Sequence, residues 1–216
     1  MINEIQTRYT KESTDSCNLS CGSNLDFLKI VPGEHILDLG CGRGNETIQA
    51  AILTGNEGKV VGLDITDAML DAANSSAEGI GVSNVWFIKG DIEALPFEEA
   101  SFDAIMSNCV INHAKSKKKV CSEIFRVLKL NGRFVISDAV TKSPLPIEVK
   151  NDPEAWAQCY GGAVTEKEYL KSIISAGFYD VEILKRREYL KNGYDFISLT
   201  ILGSKKQYCT CSECSL

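Results

Sequence analysis

Apolar runs of five to seven residues alternate along the chain with longer segments whose apolar positions recur every three or four residues. The short runs read as strands buried on both faces and the longer segments as amphipathic helices. Their alternation predicts a mainly parallel sheet covered by helices. The expected strands are HILDL (35–39), KVVGLD (59–64), VWFIKG (85–90), FDAIMSN (102–108) and GRFVISD (132–138). Helices fall between them near 44–54, 66–78 and 116–129. After Pro144 and Pro146, helical pieces around DPEAWAQC and TEKEYLKSIISAG precede two strands, DVEILK and DFISLTILG. Those two lie close enough in sequence to pair as an antiparallel hairpin at the sheet edge. The fold class is therefore α/β, doubly wound and mainly parallel, with an antiparallel edge hairpin. The domain is expected over residues 1–204, and the polar end KKQYCTCSECSL (205–216) reads as a Cys-rich tail.

Composition narrows the setting. With 216 residues, 44% of them apolar, the chain can bury one sizeable core. No apolar run is long enough for a membrane span, and the start MINEIQTRYTKESTD resembles no secretory signal, so a cytoplasmic protein without membrane contact is expected. The net charge of −6 opposes binding to nucleic acid, and the clusters KSKKK (115–119) and KRR (185–187) read as solvated surface. Nine cysteines are many for such a domain. Their odd number argues against a fixed disulfide framework and in favour of thiol chemistry.

The string DLGCGRG, Asp38 to Gly44, leaves an apolar strand and opens a helix. Gly40 and Gly42 permit a tight turn and close backbone approach to a ligand at the helix N-terminus. The third glycine comes one residue earlier than in a dinucleotide fingerprint, which favours a different adenosine ligand. Asp64 ends the next strand, where its carboxylate can accept hydrogen bonds from both ribose hydroxyls. Asp91 follows the third strand, within reach of an adenine amino group. These residues resemble the class I S-adenosylmethionine-dependent methyltransferases over about residues 30–140. The resemblance implies S-adenosylmethionine as cofactor, with Asp38, Gly40 and Gly42 at its methionine end, Asp64 at the ribose, and Asp91 with Ile92 at the adenine. Met69 either packs on the adenine face or belongs to the core.

The fold does not name the methyl acceptor. Oxygen and nitrogen acceptors usually need a base, most often histidine. Of the two histidines, His35 begins the first strand, at the far end from the ligand, and His113 lies in the loop after strand four. Cys109 also lies at the end of that strand, where open α/β sheets bind ligands. Cys159 follows the fifth strand in a segment able to fold back over the same edge. Cys41 and Cys121 read as structural. SNCVIN (107–112), ISD (136–138) and QCYGGA followed by a helix and AGF resemble the arsenite methyltransferases, over about residues 9–200.

That resemblance implies that Cys109 and Cys159 bind trivalent arsenic, with Cys21 of the Cys21-Gly22 pair as third ligand and Cys17 close by. Soft thiolates are the natural ligands of arsenic, whose lone pair carries no proton and so needs no base. A thiol reductant is implied as partner, because methylation oxidises arsenic. Where many members of that family continue into a further C-terminal domain, this sequence ends in CTCSECSL, with Cys209, Cys211 and Cys214. The alternatives are a small-molecule C- or O-methyltransferase with the two cysteines lining its pocket, or a metalloid-binding protein without turnover.

Overall fold

The computed structural model describes residues 2–13 and 24–206. In chain order the elements are α1 (Ile2–Glu12), α2 (Leu25–Leu28), β1 (His35–Leu39), α3 (Asn45–Thr54), β2 (Lys59–Asp64), α4 (Asp67–Ile80), β3 (Val85–Lys89) and β4 (Phe102–Asn108). A 3-10 turn (Ile111–His113) follows, then α5 (Lys117–Val127), β5 (Leu128–Thr141), α6 (Ile147–Lys150), α7 (Pro153–Ala157), α8 (Glu166–Ser175), β6 (Asp180–Lys191) and β7 (Tyr194–Ser204).

The strands form one seven-stranded sheet in the order β3-β2-β1-β4-β5-β7-β6. β1 to β5 run parallel, and β7 pairs antiparallel with both β5 and β6. From β1 the chain winds outward to β3, then returns to lay β4 on the other side of β1. The strand order reverses between β1 and β4, which opens a crevice at their C-terminal ends. Pairing of Leu39 with Ser107 brings the glycine turn after β1 beside the cysteine loop after β4.

Successive side chains enter opposite faces of the sheet. Leu37, Leu39, Ile105, Phe134 and Ile136 pack toward α5 and α8, whereas Ile36, Val60, Ala104, Met106 and Val135 pack toward α2 and α3. Phe178, just past α8, meets Phe134 and Phe125 edge-on at ring separations of 4.7 and 5.0 Å. Local signals set the helix starts. Ser116 caps α5 through the Lys119 amide, Asp152 caps α7 ahead of Pro153, and Thr165 and Glu168 form a capping box on α8.

The five parallel strands and the edge hairpin lie where the hydrophobic pattern put them, although β5, β6 and β7 extend further than their apolar runs. Pairing of β5 with β7 over Arg133–Thr141 carries that strand beyond its apolar stretch. The elements read from the chain did not include α1, the single turns α2 and α6, or the 3-10 turn. Lys205 still pairs with β5 through Gly132 and Asn131, and Lys206 forms an ion pair with Asp180. Residues 207–216, with Cys209, Cys211 and Cys214, lie outside the described residues, as do Cys17 and Cys21.

Phe134 is fully buried between the sheet and Phe178. Phe134→Ala leaves a cavity there and is expected to cost about 3–5 kcal/mol of folding stability. Urea titration should show a lower midpoint with an unchanged slope.

Candidate active site

The glycine turn is shaped by its neighbours. Gly40 has φ +68, and a Cβ on it would lie 2.4 Å from a Val110 methyl. Only glycine lets the turn approach the residue next to Cys109 so closely. The Gly40 and Cys41 amides donate to the Leu63 carbonyl at 2.7 and 3.1 Å, tying the turn to the end of β2. Asp64 completes the tie: one carboxylate oxygen accepts from the Gly42 amide at 3.0 Å and the other from the Thr66 amide at 2.9 Å. Each oxygen keeps a lone pair for a further donor. Asp38 is buried and accepts from the Thr47 hydroxyl at 2.6 Å. Burial pushes its carboxyl up to about 7, with Glu46 and Asp64 adding repulsion against the Thr47 bond.

These residues border a cavity of about 990 Å³. Asp38, Gly40, Gly42, Asp64, Asp91 and Ile92 all line it. Asp91 is exposed and caps its own turn through the Glu93 amide at 2.8 Å. Met69 is fully buried and absent from the lining, so of its two expected roles the core one matches its position. Helix α1 roofs the cavity with Ile2, Ile5 and Tyr9. Gln6 donates to the Ile65 carbonyl at 3.0 Å and Arg8 to the Ala157 carbonyl at 2.5 Å, so the roof spans from β2 to the Cys159 loop. The signal for α1 was present in the spacing of Ile2, Ile5 and Tyr9, which share one helical face.

Cys109 and Cys159 both adopt left-handed backbone conformations, φ 57 and 62, which non-glycine residues seldom occupy. The Cys109 amide donates to the Ser137 carbonyl at 2.8 Å. The Cys159 thiol lies 2.7 Å from the Cys109 carbonyl oxygen, so the two loops interlock. A Cβ on Gly162 would fall 2.0 Å from the Asn112 carbonyl oxygen, which explains a glycine in QCYGGA. Cys109 is disulfide-bonded, whereas Cys41, Cys121 and Cys159 are free thiols. One bridge at Cys109 is compatible with an odd cysteine count but was not expected from it. Burial pushes Cys159 up to about 12, reinforced by Asp138 and opposed by Lys191, Arg8 and Lys117. Cys121 is buried in the core, as expected of a structural residue, and Cys41 borders the cavity.

Beneath the cysteines lies a polar network that sequence reasoning missed. Asp138 accepts from Asn112 and the Ala139 amide, both at 2.8 Å, and from Tyr169 at 3.2 Å; burial still pushes it up to about 6. Lys117 donates to the Ala114 and Asn112 carbonyls at 2.7 and 3.2 Å and lies over the Trp156 ring. Burial lowers it to about 8 against the pull of Asp138. His113 lines the cavity with its Nε2 3.0 Å from the Tyr9 hydroxyl. Burial, Arg8 and Lys117 lower it to about 4, so it is neutral at pH 7. His35 begins β1 at the opposite end of the sheet.

Residues 30–177 match the family described as methyltransferase domain. The chain belongs to that family. Among relatives, the arsenite methyltransferase of Halobacterium salinarum is 38% identical over 170 residues, covering 79% of this chain and 44% of the relative. The human arsenite methyltransferase is 37% identical over 152 residues, covering 66% of this chain and 40% of the relative. The chain thus spans less than half the length of these curated relatives. A crystal structure of an arsenic(III) S-adenosylmethionine methyltransferase from Chlamydomonas reinhardtii superposes with TM-score 0.75 at 29% identity, over 96% of this chain and 74% of that one.

In this methyltransferase domain Asp38 couples folding to pH. Its folded-state value of about 7 lies above the ordinary carboxyl value near 4, so folding favours the protonated form. The associated stabilisation is complete below about pH 4 and disappears as pH rises through about 7. The stability of the parent relative to Asp38→Asn should therefore fall between those limits, as read from urea unfolding across that range.

Proposed function

We propose that this methyltransferase transfers methyl groups from S-adenosylmethionine to trivalent arsenic held by thiolates. The observation that carries the reading is the interlock of the Cys109 and Cys159 loops beside the glycine turn, with the Cys159 thiol on the Cys109 carbonyl and Val110 against Gly40. The arsenic activity named for the relatives and for the Chlamydomonas enzyme supports it.

The cavity fits the cofactor in kind. Asp64, Asp91, Ile92 and the glycine turn line one cavity; in this reading the free lone pairs of Asp64 would receive two ribose hydroxyls, Asp91 and Ile92 would face the adenine, and the glycine turn would take the methionine end. When bound, S-adenosylmethionine supplies an electrophilic methyl group. Asp64 and the turn orient the ribose and methionine, while Ile5 and Tyr9 of the roof restrict water. Cys109 and Cys159, with Cys21 as third donor, hold arsenic so that its lone pair faces the cavity. Such a nucleophile has no proton to lose, in keeping with the neutral His113 and its depressed basicity. The contribution of the chain is mainly orientation at near-attack distance.

The disulfide at Cys109 must open before that cysteine can ligate. Opening takes two electrons and two protons, supplied by two thiol groups that become a disulfide; hence a thiol reductant as partner. Lys117, Lys191 and Arg8 then favour the Cys159 thiolate electrostatically.

Two measurements test this reading. Asp64→Ala removes a two-bond contact and should weaken S-adenosylmethionine binding by about 1.5–3 kcal/mol in calorimetry; unchanged affinity would remove Asp64 from the site. With arsenite, a thiol and S-adenosylmethionine, mass spectrometry should detect methylated arsenic from the parent. Cys109→Ser and Cys159→Ser should yield none while still binding S-adenosylmethionine, and Cys121→Ser should retain activity. Parental rates from either ligand variant would favour a small-molecule methyltransferase instead.

A further inference from the structure

We infer that Asn24 is a positioning residue that fixes the Cys109 loop relative to the cofactor helix α3. The inference rests on Cys109 being an arsenic ligand. Asn24 is fully buried, and its φ and ψ are −85 and −20. Although it precedes α2, its side chain makes no capping bond to that helix and bonds to β4 and β5 instead. Its amide nitrogen Nδ2 donates to the Ser107 carbonyl at 2.8 Å, and its Oδ1 accepts from the Ser137 hydroxyl at 2.6 Å. Ser137 in turn lies 2.9 Å from the Thr200 hydroxyl. The Asn24 backbone amide donates to Glu46 Oε1 at 2.9 Å, and Glu46 Oε2 accepts from Asn108 Nδ2 at 3.2 Å.

These bonds converge on the residues that hold Cys109. Ser107 and Asn108 immediately precede it, and the Ser137 carbonyl receives its amide. Glu46 stands in the first turn of α3, the helix opened by the glycine turn. One buried residue therefore joins β4, β5 and α3 at the point where cofactor and acceptor must meet. Its two side-chain bonds act in opposite senses, one given and one accepted, so neither alanine nor aspartate reproduces both. The resulting constraint acts on the distance between the methyl group and arsenic, and a displacement of about 1 Å at a reacting centre can cost about 100-fold in rate.

The test uses the full chain with arsenite, a thiol and S-adenosylmethionine. Asn24→Ala is expected to lower kcat at saturating substrates at least tenfold, with S-adenosylmethionine affinity within twofold of the parent and stoichiometric arsenite binding retained. Ser137→Ala, which removes the hydroxyl that bonds Asn24 Oδ1 and meets Thr200 but leaves the bond from Asn24 to Ser107, should show the same signature with a smaller loss, and the double variant should lose less than the product of the single losses. If Asn24→Ala does not fold, Ser137→Ala carries the test. A folded variant with parental kcat, or with a loss that follows its cofactor affinity or folded fraction, overturns the inference. A parent that neither binds nor methylates arsenite overturns the proposed function and this inference together, an outcome distinct from an active parent with an active Asn24→Ala.

Discussion

The contact between Gly40 and Val110 is the constraint on which the rest of the site depends. The absence of a Cβ at Gly40 allows the turn after β1 and the loop after β4 to pack directly, where any side chain would meet the Val110 methyl at 2.4 Å. Parallel pairing of β1 with β4 puts both loops at the same edge, and the reversal of strand order leaves the crevice open. The glycine turn and the cysteine loop thus share one boundary, set by the packing of the Val110 side chain on Gly40. A wider separation would leave the cysteines intact and the turn intact, but not adjacent.

Around that boundary the protein buries several ionisable groups. Asp38 is held near α3 by Thr47, Asp138 by three donors, and Lys117 by two carbonyls and the Trp156 ring. Burial shifts each toward its neutral form, while the Asp138 and Lys117 charges partly offset one another. Their partners lie on different elements, so the network ties β5, α5, α8 and the 3-10 turn under the two cysteine loops. Left-handed backbone at Cys109 and Cys159 persists because these surroundings over-determine it.

The roof works differently. Helix α1 has few buried side chains, and polar bonds from Gln6 and Arg8 hold it across the cavity. Because Arg8 reaches the carbonyl of Ala157, closure over the cofactor region is joined to the placement of the Cys159 loop. Such a helix has little stability by itself and depends on docking.

The hydrophobic pattern by itself determined the five parallel strands, the main helices and the edge hairpin, because doubly buried strands and amphipathic helices leave distinct periodicities. Asp38, Gly40, Gly42, Asp64, Asp91 and Ile92 were legible as a set because each falls at a strand end in a fixed order, and all of them line one cavity. Met69 was ambiguous in the sequence, since a helix can turn a methionine inward or toward a ligand; packing buried it. Tertiary structure alone decided the interlock of Cys109 with Cys159, the roofing by α1, and the convergence of Asn24, Glu46 and Ser137. Those contacts join residues distant in sequence, and hydrogen bonding across the sheet edge leaves no periodic trace in any one segment. The disulfide at Cys109 is of the same kind: a cysteine's spacing shows that a thiol is present, and only its neighbours in space decide what that thiol meets.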